Sequence, residues 1–174
     1  SSSGIGAATA RCAAGAGMRV VLSARRRDKL DALADEIERA TGRAPLVVTC
    51  DVCDRTQVQG LFDRTMSAFG RVDAFFANAG YGLCVPVLET TDDQARAIFE
   101  ANFFGTVYTL RSGVDAFRRT GDGLMHALVC SSAASEIAPP RYGFYAATKA
   151  AQDSIAGAMR IEVEEEDITV SSVH

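Results

Sequence analysis

The sequence predicts an α/β protein in which a doubly wound parallel sheet lies between two layers of helices. Short apolar, β-branched runs alternate along the 174 residues with longer runs whose apolar residues are three and four apart. This alternation is typical of strands and amphipathic helices in α/β folds. The apolar runs are also continuous, as expected for parallel strands that are buried on both faces.

The first half of the chain alternates between strand and helix patterns. Leu30, Leu33 and Ile37 have the spacing of one helix face, and Gly42 and Gly70 follow the two helical runs. Glycine at such positions commonly ends a helix. These patterns predict strands at 19–23, 46–49 and 72–77, and helices at 28–40 and 56–69.

The second half continues the same order. Ile98, Phe99 and Asn102 stand at helical spacing within a long run, and two glycines at 121–123 indicate a turn. Helices are predicted at 91–119 and 142–165, and strands at 124–131 and 168–173. The whole order indicates a Rossmann-like sheet in a single domain, 1–174, without an internal repeat or linker.

Both ends of this domain look incomplete. No strand pattern precedes the glycine turn at 3–6, and no helix pattern follows the strand at 168–173. We therefore expect a partial domain that lacks the first strand and the C-terminal elements of the fold. Because the first strand of this fold lies in the middle of the sheet, its absence predicts a gap beside the strand at 19–23.

Composition excludes several classes of function. The net charge of -4 gives no reason to expect nucleic-acid binding, and no apolar run approaches the roughly 18 residues that span a bilayer. The N-terminus has no signal-peptide pattern, so the expected location is the cytoplasm without a membrane partner.

Cysteine usage does not indicate a disulfide framework, because the five cysteines are scattered and odd in number. Cys50 and Cys53 have C-x-x-C spacing, but a zinc site would need two further ligands at suitable spacing. We interpret them as two reduced cysteines with no metal site. A redox or metal role is the weaker alternative.

The glycine-rich turn is a candidate cofactor site. Glycine lacks Cβ, so backbone N–H groups can approach a pyrophosphate, and the dipole of the following helix favours an anion there. The alternative is a flexible serine-glycine tail, but the alanine-rich helix that follows favours the cofactor turn. The candidate residues are Ser2, Ser3, Gly4, Ile5 and Gly6.

The residue that follows the strand at 19–23 bears on cofactor choice. About 20 residues beyond such a turn, an acidic residue would bind the adenosine ribose of NAD. Here Ala24 is followed by three arginines, of which Arg25 comes first. A guanidinium binds a 2′-phosphate, so the sequence favours NADP (NADPH) over NAD. The alternative is a solvated loop.

Two further strand ends carry candidate cofactor residues. Asp51 and Val52 follow one strand and could contact an adenine, whereas Asn78, Ala79 and Gly80 follow the next and leave space for a ribose. Ligands of open α/β sheets bind at the carboxyl ends of strands. Ordinary turns are the alternative reading of both segments.

Four residues indicate proton and hydride chemistry. Tyr145 and Lys149 are four apart and share a helix face. A phenol has a pKa of about 10, and an ammonium group beside it lowers that value, so it can exchange a proton with a carbonyl oxygen. Ser132 could hold the substrate oxygen. Asn102 could order a water that links the lysine to solvent.

In sequence, the chain resembles the short-chain dehydrogenase/reductase family over essentially its whole length. The matching segments are SSSGIG, LSARR, CDV, ANAG, EANFFG, CSS and YAATK. The leading Thr-Gly of the family turn, TGxxxGxG, is absent here. The resemblance implies a catalytic tetrad of Asn102, Ser132, Tyr145 and Lys149, in which Lys149 also holds the nicotinamide ribose.

The resemblance also implies a function. We expect an oxidoreductase that transfers a hydride between NADP(H) and a small carbonyl or secondary-alcohol substrate, with Tyr145 as general acid/base. Family members commonly form homodimers or homotetramers. The alternative is a nucleotide-binding module, or an inactive fragment without catalysis.

Overall fold

Parallel strands form the framework of the molecule. The structure is a computed structural model that describes residues 3–174. Every strand pair in this range is parallel and helices connect the strands, which confirms the predicted α/β class. The strands are β1 (Val21–Ala24), β2 (Leu46–Thr49), β3 (Ala74–Ala77), β4 (Met125–Cys130) and β5 (Ile168–Val173).

Seven α-helices accompany these strands in residues 3–174. Gly42 and Gly70 adopt left-handed φ angles of 71° and 74° and end two of the helices, as predicted. The Asp54 side chain caps another helix end by accepting from the backbone N–H of Thr56 and Gln57. The helices are α1 (Gly4–Gly15), α2 (Arg27–Thr41), α3 (Arg55–Phe69), α4 (Asp92–Phe99), α5 (Gly105–Thr120), α6 (Ala134–Ile137) and α7 (Gly143–Glu162).

The strands of residues 3–174 form two sheets. One sheet pairs β1 with β2, and the other has the order β3-β4-β5. The register places Val21 opposite Leu46 in the first sheet and Met125 opposite Ile168 in the second. Within the described residues β1 and β3 are not paired, and this break lies beside β1, where the sequence predicts a gap.

Each sheet has its own apolar core. Helices α3, α5 and α7 pack on the larger sheet, where the Phe75 ring lies 5.6 Å from Phe62 and 5.1 Å from Phe117, centroid to centroid. Alanines of α1 pack with the apolar face of α2 and with Leu22 of β1. Cys50, just beyond β2, belongs to the larger core, so that core extends across to the end of the smaller sheet.

The helical run predicted at 91–119 contains a local change of helix type. A π-helical turn, Glu100–Phe104, separates α4 from α5. A capping box formed by Thr91 and Gln94 fixes the start of α4. Asn102, which is fully buried, lies in the middle of the π turn, and π turns often occur at functional sites.

Candidate active site

The buried side chain of Lys149 connects α7 to the end of β4. Its Nζ donates a 2.7 Å hydrogen bond to the carbonyl of Cys130, the last residue of β4. The same Nζ lies 5.7 Å from the ring centroid of Tyr145. Because Ser132 follows Cys130 by two residues, the structure brings Ser132, Tyr145 and Lys149 to one end of the larger sheet.

Burial controls the charge of Lys149. The residue is 4% exposed, and burial lowers the pKa of its ammonium because the charged form loses hydration. Electrostatic interactions with nearby Cys130 and Asp153 raise this pKa but do not outweigh burial. The lysine therefore releases its proton more readily than an exposed lysine does.

The loop that carries Ser132 is held by its own backbone. The Ser132 hydroxyl accepts a 3.2 Å hydrogen bond from the N–H of Ala134, and its carbonyl accepts a 2.8 Å bond from the N–H of Ser135. Beyond the short helix α6, Ala138 and Arg141 adopt φ angles of 34° and 68°. Such left-handed non-glycine residues store strain and cluster at functional sites.

Asn102 ties the segment after β3 to α7. Its Nδ2 donates to the carbonyl of Tyr81 at 3.0 Å and to Oγ1 of Thr148 at 3.1 Å. Its Oδ1 accepts from the N–H of Tyr81 at 3.0 Å. A Cβ on Gly80 would lie 2.9 Å from this oxygen, so the close approach requires glycine. The amide side chain thus makes a structural connection across the site.

The backbone carbonyl of Asn102 already has protein donors. It accepts 2.8 Å hydrogen bonds from Nε2 of Gln152 and from Oγ1 of Thr106. Both donors are buried. The water-ordering role predicted for Asn102 remains a prediction.

The predicted cofactor turn forms the start of α1. Gly4 has a left-handed φ of 57°, which favours glycine, and no heavy atom lies within 4 Å of the Cβ it lacks. Ser3 precedes the helix, and its hydroxyl accepts a 3.4 Å hydrogen bond from Arg26. Ile5 is exposed and Gly6 is buried. Ser2 lies outside the described residues.

The ends of β1 and β2 bring two predicted cofactor residues together. The Arg25 guanidinium lies 3.9 Å from the Asp51 carboxylate, and its side chain is 75% exposed. Asp51 also accepts a 3.1 Å hydrogen bond from the N–H of Cys53. The next residue, Val52, packs against Gly105. A Cβ on Gly105 would lie 2.9 Å from Cγ2 of Val52.

The segment Asn78, Ala79 and Gly80 follows β3 directly. Because β3 pairs in parallel with β4, this segment and Ser132 lie at the same end of the larger sheet. Asn78 is half-buried, whereas the other two residues are exposed. The predicted ribose segment therefore lies at the same sheet edge as the predicted catalytic residues.

Both cysteines of the C-x-x-C pair are free thiols. Burial raises the pKa of the Cys50 thiol, and burial together with the Asp51 carboxylate raises that of Cys53 to about 11. Thiolates are the reactive form, so both cysteines are poor nucleophiles at neutral pH. Within residues 3–174, no group of three His, Cys, Asp or Glu side chains could hold a metal ion.

Several polar residues around this site carry no motif or composition signal of their own in the sequence. They lie inside or directly after the recognised motifs, or follow the lysine at helical spacing, so i+3 and i+4 spacing from Lys149 is the signal that identifies two of them. They are Tyr81, Ser131, Thr148, Gln152 and Asp153.

Comparison with known proteins identifies the family. A model of the family described as short chain dehydrogenase matches residues 1–174. The chain belongs to the short-chain dehydrogenase family. The resemblance of its motifs to that family is thereby confirmed over the whole chain.

A curated relative in this family is the bovine (Bos taurus) Dehydrogenase/reductase SDR family member 7B. It is 32% identical over 176 residues, which cover 98% of this chain and 54% of the relative. The chain thus spans about half the length of this relative.

Solved short-chain dehydrogenase structures have the same fold. The alcohol dehydrogenase of Thermococcus sibiricus, complexed with 5-hydroxy-NADP, superposes with a TM-score of 0.91 at 31% identity, covering 98% of this chain and 71% of that one. A family member from Burkholderia phymatum in complex with NAD gives 0.88 at 27% identity, covering 96% and 59%. Among residues 3–174, no helix has the length and apolar character needed to cross a bilayer.

Proposed function

We propose that the protein is an NADP(H)-dependent oxidoreductase that interconverts a carbonyl and a secondary alcohol, with Tyr145 as general acid/base. The observation that carries this proposal is the buried Lys149 ammonium beside the Tyr145 ring, at the strand end that also bears Ser132. We further propose that residues 1–174 form a single, partial cofactor-binding domain of a cytoplasmic protein.

The proposed mechanism assigns one task to each side chain. When bound, the nicotinamide supplies or accepts the hydride. Ser132 donates a hydrogen bond to the substrate oxygen, and Tyr145 gives that oxygen a proton during reduction or removes it during oxidation. Lys149 places a positive charge 5.7 Å from the phenol ring, which favours the phenolate. Asn102 binds Tyr81 and Thr148 through its side-chain amide and so fixes the segment after β3 against α7.

The start of α1 fits a dinucleotide. The space around the Cβ that Gly4 lacks is open, and the helix N-terminus favours a pyrophosphate. Ser3, Gly4, Ile5 and Gly6 would hold this group, together with Ser2 ahead of them. Lys149 would turn from the Cys130 carbonyl to the nicotinamide ribose.

NADP is the proposed cofactor because Ala24 stands where an acidic residue would select NAD, and Arg25 follows it directly. The solved relatives named above were crystallised with either an NADP derivative or NAD, so cofactor preference rests on this chain's own residues. The ion pair of Arg25 with Asp51 is exposed and long, so it holds the guanidinium only weakly. The 2′-phosphate would compete effectively for Arg25. Asp51 and Val52 would face the adenine, and Asn78, Ala79 and Gly80 the ribose.

The substrate is proposed to be a small carbonyl or alcohol compound with an apolar body. Tyr142, whose side chain lies at the surface, contacts Tyr145 edge to face at a centroid distance of 6.2 Å. Exposed Val87 lies against Gly143 at the start of α7, and exposed Ile137 shortly precedes this helix in sequence. We also propose a homodimer or homotetramer, since Phe104 of the π turn is exposed and its ring stacks on Tyr108 of α5.

The experiment that tests this function is replacement of Tyr145 by Phe in the protein expressed from its complete reading frame. Oxidation of NADPH is followed with a panel of ketones, including acetophenone and cyclohexanone. We expect a fall in kcat of at least roughly a hundredfold with NADPH binding retained, because only the proton donor is lost. Wild-type turnover by Tyr145→Phe would exclude the proposed role of Tyr145.

The competing function is a nucleotide-binding module without catalysis. It would bind NADPH but turn over no compound of the panel. The presence of all four predicted tetrad residues favours the enzyme.

A further inference from the structure

A second, half-buried charge lies one helical turn beyond Lys149. Asp153 is on the same helix, and its side chain is only 25% exposed. Its Oδ2 accepts a 2.7 Å hydrogen bond from the hydroxyl of Ser131. Ser131 is itself buried, and its N–H donates to the carbonyl of Val173 at 2.8 Å. The carboxylate therefore contacts the residue immediately before Ser132.

The other side of the Ser132 loop also faces this carboxylate. Oδ1 of Asp153 and the hydroxyl of Ser135 are both buried, and neither has a hydrogen-bond partner in the described structure. The Ser135 hydroxyl nevertheless lies close enough to stabilise the negative charge. Ser135 also donates its N–H to the Ser132 carbonyl at 2.8 Å. Asp153 thus faces residues on both sides of the proposed catalytic serine.

We propose that Asp153 is a positioning residue, which holds the Ser132 loop against α7 and stabilises the ammonium of Lys149 through its negative charge. The proposal rests on the oxidoreductase function described above. It assigns Asp153 no contact with substrate. Its effect reaches the reaction through Ser132 on one side and Lys149 on the other.

The charges around Asp153 are consistent with this role. Burial raises the pKa of its carboxyl, but the hydrogen bond from Ser131, the neighbouring hydroxyls of Ser135 and Ser172, and the charge of His174 outweigh this effect and lower it. The carboxylate is therefore ionised at neutral pH. The titratable groups around Asp153 and Lys149 are Tyr145 on α7, Cys130 at the end of β4, and His174 after β5. The Tyr145 ring lies 5.7 Å from Lys149 Nζ, and His174 Nε2 lies 3.9 Å from Oδ1 of Asp153.

The sign of the pH effect follows from these charges. The Asp153 carboxylate raises the pKa of Lys149, which burial lowers. Asp153→Asn removes the negative charge and nearly preserves the shape, so Lys149 should lose its proton at lower pH than in the wild type. The alkaline limb of the kcat profile should consequently move to lower pH.

The experiment compares three variants of the protein expressed from its complete reading frame, assayed with NADPH and the best ketone of the panel. We expect Asp153→Asn to lower kcat by roughly tenfold or more through misplacement of Ser132, and to shift the alkaline limb. Ser131→Ala removes a hydrogen bond but keeps the charge, so it should lower kcat without moving the limb. Glu162→Gln, an exposed change on the same helix, should match the wild type.

Each outcome decides the proposal. An Asp153→Asn variant with wild-type kcat and profile would overturn it, as would a lower kcat with an unmoved alkaline limb, which marks a purely structural role. If Asp153→Asn does not fold, Ser131→Ala and Ser135→Ala take its place, and wild-type kcat in both would overturn the positioning role.

A readout without turnover separates this proposal from the function itself. Loss of the Lys149 charge should weaken NADPH binding at alkaline pH. In Asp153→Asn this weakening should occur at lower pH than in the wild type. Nicotinamide fluorescence measures the binding at each pH. An unchanged binding profile would overturn the link to Lys149. Retained turnover by Tyr145→Phe would instead overturn the proposed function.

Discussion

The two ends of the proposed site differ in how firmly the protein holds them. At the catalytic end, Asn102 and Lys149 are 0% and 4% exposed, and several hydrogen bonds fix their side chains. At the adenosine end, Ile5 is 63% exposed, and the side chain of Arg25 is 75% exposed. Thus the side chains of the first end are already held in place by the protein, whereas those of the second end remain accessible to solvent.

This difference predicts which substitutions will affect the rate, the stability or the cofactor affinity. Buried polar groups require partners, so each member of the catalytic end depends on its neighbours. Exposed groups make weak mutual contacts and remain available to a ligand. Changes at the catalytic end should therefore affect rate and stability strongly, whereas changes at the adenosine end should affect cofactor affinity alone.

The largest expected effect comes from Lys149→Met. Loss of the buried ammonium should lower kcat by roughly a hundredfold or more, since the phenolate loses its stabilising charge. The free energy of unfolding should change by no more than about 1 kcal/mol, because relief of the buried charge opposes the lost hydrogen bond to Cys130. Steady-state kinetics and denaturant unfolding measure the two quantities.

A matched control for this change is Lys29→Met, at the other lysine of the chain, which is exposed on α2. It should leave kcat unchanged. If Lys149→Met kept wild-type turnover, the buried end would have no catalytic role.

The second effect is on stability. Asn102→Ala should lower the free energy of unfolding by about 2–4 kcal/mol, since it leaves the N–H and carbonyl of Tyr81 without their partner and removes a donor to the Thr148 hydroxyl. Chemical denaturation of the variant measures this loss. Ser154→Ala, an exposed change on α7, is the control and should stay within about 0.5 kcal/mol. Equal stability of both variants would contradict the preorganised character of this end.

The smallest effect concerns the open end. Arg25→Ala should weaken NADPH binding roughly tenfold and leave NADH binding unchanged, because one charge-assisted contact to the 2′-phosphate is lost. Titration by nicotinamide fluorescence compares the two cofactors. Arg27→Ala is the control, since Arg27 pairs with Asp31 within α2. Parallel weakening of both cofactors by Arg25→Ala would exclude the selective role.

Much of the fold was predictable because local patterns determine it. The strands at 46–49 and 168–173 have the predicted bounds, and glycines end α2 and α3 as expected. The strand predicted from Val72 begins later, at Ala74, because the Val72 N–H donates to the side chain of Thr120 instead of to a neighbouring strand. Strand limits of this kind depend on contacts far apart in sequence.

The site was predictable only in part, for the same reason. Asn102, Ser132, Tyr145 and Lys149 were recognised from spacing and motif, and their roles remain predictions. Asp153 is not predictable from the sequence, because the role proposed for it depends on interactions with Ser131 and Ser135, more than fifteen residues away. The π turn likewise depends on the tertiary hydrogen bonds that Asn102 makes to Tyr81 and Thr148, rather than on periodicity.

The π turn changes the rotational position of the residues that follow it, within a helical run that is continuous from α4 to α5. A π turn holds one residue more than an α turn, and one residue corresponds to about 100° of rotation. Upstream, α4 faces α7, and downstream α5 presents Leu110, Val114 and Phe117 to the core of the larger sheet. Because the turn already accommodates one extra residue, deleting a residue other than Asn102 from Glu100–Phe104 would return the segment to a continuous α-helix and keep this face of α5 on the core.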